Sequence, residues 1–173
     1  MKVAIAIAEF LRDQGIRHVF TISGGADLHI IHAIAETEGI DYVCPQDEQA
    51  AAFAADAYAR ISGLGCALAT SGPGGTGLLS GVAAAYYDSI PVLYIVGQVA
   101  VGRIGTEWGV RQYGFQWTPI VEMAAPITKY AVEPDRAEDV MPAMREAVRI
   151  AREGRPGPVL VSIPDDVQRM EIP

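Results

Sequence analysis

The sequence predicts an α/β fold: a doubly wound, mainly parallel sheet of about six strands with helices on both faces. Three observations carry this. Short apolar runs recur along the chain, amphipathic stretches of helical period alternate with them, and glycine-rich junctions follow several of the runs. The runs are continuously apolar instead of alternating, which is what strands covered on both faces require.

The elements follow in order. Ile5, Ala8 and Leu11 fall near helical spacing, so residues 3–14 read as an amphipathic helix, closed by Gly15 because glycine is the preferred C-terminal stop. Residues 18–22 form a short strand, 26–36 a helix, 40–44 a strand and 47–61 a helix. Residues 66–70 are extended, 76–87 helical and 92–96 extended. From Gly97 to about Thr118 the chain is rich in Gly, Gln and aromatics with no clean period. A loop this long in a compact domain is more often functional than idle, and residues 103–117 are expected to govern substrate choice. The tail resumes with a strand over 127–132, a helix over 136–153 and a strand over 159–163, after the stop Gly154-Arg155-Pro156-Gly157-Pro158.

At 173 residues the chain holds one core, since domains usually run to about 100–150 residues. Residues 1–173 are therefore read as one domain. Half of the residues are apolar, and Ala and Gly abound, as in a tightly packed globular protein. The formal charge of −8 and the absence of a Lys/Arg cluster exclude a phosphate-tracking surface, so nucleic acid is not an expected partner. Cys44 and Cys66 lack the spacing of a metal or redox pair and read as small buried hydrophobes in a reducing compartment. No signal-peptide pattern and no apolar run of about 18 residues occurs, so no membrane is implied and the cytoplasm is the expected location.

In a doubly wound sheet, ligands lie beyond the carboxyl ends of the strands. Three junctions place special residues there: Ser23-Gly24-Gly25, Gln46-Asp47-Glu48-Gln49 and Ser71-Gly72-Pro73-Gly74-Gly75. The third also matches G-x-G-x-x-G through Gly72, Gly74 and Gly77, a dinucleotide-binding pattern. That pattern needs an acid at the end of the next strand to hold a ribose hydroxyl. Here the strand ends at Val96-Gly97-Gln98, and Asp88 precedes it. A dinucleotide-binding oxidoreductase stays open as an alternative, beside a tight turn that merely lets helix and strand approach.

Glu48 opens a helix that runs through Ala50, Ala51, Ala52, Ala54 and Ala55. On spacing alone it is a first-turn acid complementing the helix dipole, with Asp47 as N-cap. Asp47 satisfies the cap by itself, which leaves Glu48 free to point into the cleft. His29, His32 and Glu36 share a helix face, but a metal site needs three or four placed ligands, and no metal is expected there. No G-x-S-x-G elbow occurs, which sets hydrolase triads aside.

At these residues the chain resembles the N-terminal domain of the acetolactate synthase, pyruvate oxidase and benzoylformate decarboxylase family of thiamine diphosphate enzymes. The stretch Glu48-Gln49-Ala50-Ala51-Ala52-Phe53-Ala54-Ala55-Asp56-Ala57-Tyr58-Ala59-Arg60 is similar to the family's E-Q-x-A-A-x-A-A-D-G-Y-A-R helix. Thr70-Ser71-Gly72-Pro73-Gly74, Asp88-Ser89-Ile90-Pro91, Gly97-Gln98-Val99, Pro126-Ile127-Thr128-Lys129 and Gly154-Arg155-Pro156-Gly157-Pro158-Val159 follow in the family's order and spacing, nearly end to end.

The resemblance implies a pyrimidine-binding half of an enzyme that decarboxylates a 2-keto acid or joins it to a carbonyl acceptor. It makes Glu48 the catalytic partner of the aminopyrimidine N1′ nitrogen, with the organic chemistry left to the cofactor. By the same transfer Ser23, Gly24, Thr70, Pro73, Gly74 and Gly77 line the pyrimidine pocket, while Gln98, Phe115 and Gln116 face the substrate. Family members carry the diphosphate and Mg²⁺ on a second domain marked by G-D-G, which does not occur here. A diphosphate-binding domain or subunit is thus an implied partner, and a homodimer contact on the Ala-rich helix another. A noncatalytic or excised interaction domain is the remaining alternative. Three positions depart from the family: Asp47 where many relatives carry His, Ser23 where they carry Pro, and Gly77 where they carry an Asn that helps hold the pyrimidine. The segment from Trp108 to Gly114 is longer than in acetolactate synthases. These departures bear on substrate choice and pyrimidine affinity.

Overall fold

The computed structural model describes residues 1–106 and 109–172, so Trp108 of the lengthened segment lies outside the described residues. In chain order the elements are α1 (Val3–Asp13), β1 (His18–Thr21), α2 (Leu28–Glu36), β2 (Asp41–Val43), α3 (Glu48–Ser62), β3 (Gly65–Ala69), α4 (Pro73–Asp88), β4 (Val92–Gln98), α5 (Ile120–Ala124), β5 (Tyr130–Val132), α6 (Ala137–Arg152), β6 (Val159–Pro164) and α7 (Asp165–Arg169). The strands form one parallel sheet in the order β2-β1-β3-β4-β6-β5. This is the doubly wound α/β architecture that the alternation of apolar runs and helices predicts.

Alternate residues of the central strands feed two separate cores. Cys66, Leu68, Leu93, Ile95, Val159 and Val161 face α1, α2 and α6, while Ala67, Ala69, Tyr94, Val96 and Leu160 face α3, α4 and α5. Every residue of β3, β4 and β6 is buried, which explains their unbroken apolar runs. β2 lies at the sheet edge with all three residues exposed, and Cys44 just beyond it is exposed as well. The expectation of a buried Cys44 is corrected accordingly: an edge strand has one neighbour and little cover. Cys66, in the middle of β3, is buried, and burial pushes its thiol pKa far up.

Small residues let the α3–α4 layer sit very close to the sheet. A Cβ on Gly81 would lie 2.4 Å from Ala52 Cβ, and one on Gly65 would lie 2.1 Å from the Ala55 carbonyl oxygen. Ala51, Ala52, Ala55 and Ala59 are therefore buried inside the subunit, and the alanine face is not the outward contact face that was expected. The outward face of α3 instead carries Phe53, Ala57 and Ile61 at successive turns, with Ile61 92% exposed.

Other differences are local. The chain over 125–127 forms a short 3-10 turn, so the strand predicted over 127–132 begins only at Tyr130. α5 and α7, five residues each, were not predicted, and α4 begins at Pro73, ahead of the predicted start at 76. Proline is favoured at a first helical position because its missing N–H has no partner to lose there.

Asp47 caps α3, its Oδ1 accepting from Ala50 N at 2.7 Å, and Gly63 closes the helix in the left-handed region at φ +84°. Asp47→Ala is expected to destabilise the chain by about 1 kcal/mol, up to about 2. Urea unfolding measures this, and an unchanged midpoint would show that the cap contributes nothing.

Candidate active site

The sheet reverses its winding at β1, whose neighbours are β2 on one side and β3 on the other. The turns leaving β1 and β3 therefore diverge and open a crevice between them, the position at which ligands bind in such sheets. Residues 22–27 form one wall and residues 70–72 the other. A Cβ on Gly24 would lie 2.4 Å from Thr70 Cβ, so only glycine lets the walls meet, and Ala26 N donates to Thr70 Oγ1 at 3.1 Å.

Glu48 faces this junction from the start of α3. A Cβ on Gly74 would lie 2.8 Å from Thr70 Cγ2 and 3.5 Å from Glu48 Oε1. One on Gly77 would lie 3.0 Å from Glu48 Cβ and 3.5 Å from Oε2. The carboxylate of Glu48 thus lies beside two glycines, Gly74 and Gly77, near the start of α4. It is half-buried and has no hydrogen bond or ion pair among the described residues. Asp47 serves the helix cap, so Glu48 is not needed for it.

The structure brings Gly24, Thr70, Gly74 and Gly77 together around Glu48. Pro73 is exposed at the first position of α4, and Ser23 is exposed on the turn after β1. Beside them a cavity of about 480 Å³ is lined by Gly24, Gly25, Thr70, Ser71, Phe115 and Gln116. Arg103, Asp165 and Arg169 add charges of both signs to its rim. Phe115 is 76% exposed, and Gln116 lies over the α4 turn, where a Cβ on Gly72 would come within 2.5 Å of its carbonyl oxygen.

Gln98 departs from its expected role toward the substrate. It is 1% exposed, and its amide is occupied within the chain: Nε2 donates to Thr118 O at 3.1 Å and to Glu133 Oε2 at 3.2 Å, while Oε1 accepts from Val99 N at 3.0 Å. Ser162 Oγ donates to the same Glu133 oxygen at 2.6 Å, which ties the ends of β4, β5 and β6 together. Glu133 was not singled out in the sequence, and nothing in its local pattern marks it.

Asp27 was also missed, because it reads as an early residue of a helix. Its side chain makes no cap bond to α2 and folds back, Oδ1 accepting from Gly24 N at 2.8 Å. The residue is fully buried, and Oδ2 has no hydrogen-bond partner among the described residues. Burial, with a smaller contribution from the charge of Glu48, pushes its pKa up to about 6 against the hydrogen bonds that lower it.

Away from this edge, His29 and His32 are exposed in a groove of about 470 Å³ between α1 and α2. Partial burial, then Arg169, lowers the His29 pKa. Among the described residues no three His, Cys, Asp or Glu side chains could hold a metal ion, and no helix is long and apolar enough to cross a membrane. Asp88, the acid nearest to a dinucleotide pattern, ends α4 ahead of β4 and pairs with Arg60 at 2.6 Å, at the opposite edge of the sheet from the glycines.

Acetolactate synthase 2, chloroplastic, of Nicotiana tabacum is 44% identical over 164 residues, 94% of this chain and 24% of that protein. Acetolactate synthase, chloroplastic, of Arabidopsis thaliana is 44% identical over 169 residues, 97% of this chain and 24% of that protein. The acetolactate synthase large subunit of Haemophilus influenzae is 41% identical over 161 residues, 92% of this chain and 27% of that protein. The chain spans about a quarter of the length of these relatives. Residues 1–123, which hold the Glu48 carboxylate, its glycine bed and both walls of the crevice, match the family described as thiamine pyrophosphate enzyme, N-terminal TPP binding domain, and the chain belongs to that family.

Proposed function

We propose that residues 1–173 act as one unit, the pyrimidine-binding part of a thiamine diphosphate enzyme that decarboxylates a 2-keto acid or joins it to a carbonyl acceptor, as the names of the acetolactate synthases suggest. The observation that carries this is Glu48: a half-buried carboxylate with no partner of its own among the described residues, laid across Gly74 and Gly77. That cradle fits a flat ring with one basic nitrogen. A Cβ at position 77 would lie 3.0 Å from Glu48 Cβ and 3.5 Å from Oε2, so this position borders the acid directly.

In this reading Glu48 is the catalytic residue and holds a proton at the ring nitrogen N1′. Thr70, Gly24 and Gly74 form the slot wall, while Ser23 and Pro73 close its rim. Phe115 and Gln116 shape the cavity where the substrate's carbonyl group sits, and Gln98 holds the base of that loop through Thr118. When bound, thiamine diphosphate supplies the electron sink for the bond broken on loss of CO₂. Its diphosphate and Mg²⁺ fall to a partner domain or subunit, because a magnesium–phosphate site rests on carboxylates arranged around the metal.

The same reading includes a subunit contact. We place it on the outward faces of α3 and α4, where Phe53, Ile61 and Tyr87 are exposed and open to a two-fold partner. It also includes a reducing compartment such as the cytoplasm, in keeping with two free cysteines, one of them exposed.

The test uses the complete protein with thiamine diphosphate and Mg²⁺, incubated with pyruvate, 2-ketobutyrate and larger 2-keto acids. Cofactor-dependent CO₂ release from at least one is expected. Cofactor binding with no release from any of them would remove the keto-acid reading and leave only the ring site.

A further inference from the structure

We propose that Asp27 is a positioning residue of the ring slot: its buried carboxyl anchors the Ser23–Gly25 turn that forms the wall opposite Glu48.

The argument starts from an imbalance. A fully buried carboxyl with one unpartnered oxygen destabilises a fold unless it remains protonated or acquires a donor. Asp27 stands at the one place where this matters for the slot. Its Oδ1 holds Gly24 N, Gly24 abuts Thr70, and Thr70 abuts Gly74 beneath Glu48 Oε1. Its own backbone neighbour, Ala26, is tied to Thr70 Oγ1 on one side and, through the carbonyl, to Gln168 Nε2 at 2.7 Å on the other. A short contact path therefore runs from Asp27 to the catalytic carboxylate.

Its electrostatic surroundings are sparse. Glu48 faces it from α3 and is the charge that raises its pKa, after burial. From α7, Asp165 and Arg169 line the cavity that Gly24–Ala26 border, and Arg103 lines the same cavity from the loop after β4. On its own helix the next ionisable side chain is His29, which is exposed and sensed by Arg169, Asp165, Lys2 and His32. The packed interior against α7 offers Gln168, whose Oε1 is also unpartnered and carries no charge. Among the described residues no cation pairs with Asp27.

The sign of the pH effect follows from the pKa. The folded value of about 6 lies above the ordinary carboxylic value of 3.8, so the contribution of Asp27 to stability is present below about 3.8 and lost as pH rises to about 6. Asp27→Asn retains an acceptor for Gly24 N and carries no charge. The stability difference between Asp27→Asn and the natural chain should therefore grow in favour of Asn from pH 4 to 6 and level off above.

Two measurements test the proposal. The first is a carbon-13 carboxyl NMR titration of Asp27, whose midpoint is expected near 6 for a carboxyl buried under the turn. The second measures the thiamine diphosphate dissociation constant in the complete protein with Mg²⁺. Asp27→Ala is expected to weaken binding roughly fivefold, and Asp27→Asn to restore it, as one hydrogen bond to the turn is lost and regained. This second arm rests on the cofactor reading above, while the titration does not, so failure to bind the cofactor at all would count against that reading alone. An Asp27 midpoint near 4 would overturn the burial of its carboxyl beneath the turn. Equal cofactor affinity in Asp27→Ala and the natural protein would overturn the anchoring role.

Discussion

In the complete enzyme, Glu48→Gln is expected to slow proton exchange at C2 of bound thiamine diphosphate by roughly 10²–10⁴, the range for a missing general acid–base group. Glutamine preserves the shape and can still meet a ring nitrogen, but it has no proton to share. The fold should be almost unaffected. Asp47, not Glu48, provides the N-cap of α3, and the dipole effect of one exposed first-turn acid is worth about 0.3–1 kcal/mol. Chemistry and stability thus separate at two adjacent residues: Asp47→Ala lowers stability, and Glu48→Gln lowers exchange. Hydrogen–deuterium exchange at C2, followed by NMR beside a urea melt of the same variants, reads both. Near-normal exchange in Glu48→Gln would falsify its assignment as the ring acid.

The layout of this site was legible in the sequence because a parallel sheet leaves few choices. Strands buried on both faces must be continuous apolar runs, and ligands must gather at their carboxyl ends, so Ser23–Gly25, Glu48 and Thr70–Gly77 could be placed at one edge before any coordinate. What escaped depended on long-range contacts or on very short elements. α5 and α7 span five residues each, too few for a helical period to show. The facing of α3 escaped as well, since alanines and large apolar residues occupy both sides of it. The inward side is decided by Gly81 and Gly65 in other elements, which accept only a small partner. The motif around Gln98 identified the residue, but not that its amide turns inward to Glu133, 35 positions later. Asp27 looked like any polar residue at a helix start, and only the structure shows its side chain folding back to Gly24.

The largest loss of stability is expected from Gly97→Ala. A Cβ there would lie 1.9 Å from the Ala26 carbonyl oxygen, 2.4 Å from its carbon and 3.0 Å from Asp27 N, all of them backbone atoms that no rotamer change can move aside. The strand cannot yield either. β4 lies between β3 and β6, held in register from Leu93 opposite Val159 to Gln98 opposite Pro164, and Gln98 is fixed by its own three hydrogen bonds. The turn entering α2 must therefore shift, and the Ala26 bonds to Thr70 and Gln168 stretch with it. Overpacking of about 1–3 kcal/mol, with about 1 kcal/mol for each hydrogen bond weakened, gives a loss on the order of 3–5 kcal/mol. Against a total of about 5–15 kcal/mol, that removes a large share of the stability of the fold. Gly25→Ala is the control: it lies in the same turn, a Cβ there meets nothing within 4 Å, and its φ is not positive, so the change should stay within about 0.5 kcal/mol. Urea midpoints of the two variants decide the matter. If Gly97→Ala unfolds within about 1 kcal/mol of Gly25→Ala, the turn is softer than its contacts indicate, and the fixed wall assigned to the slot beside Glu48 fails with it.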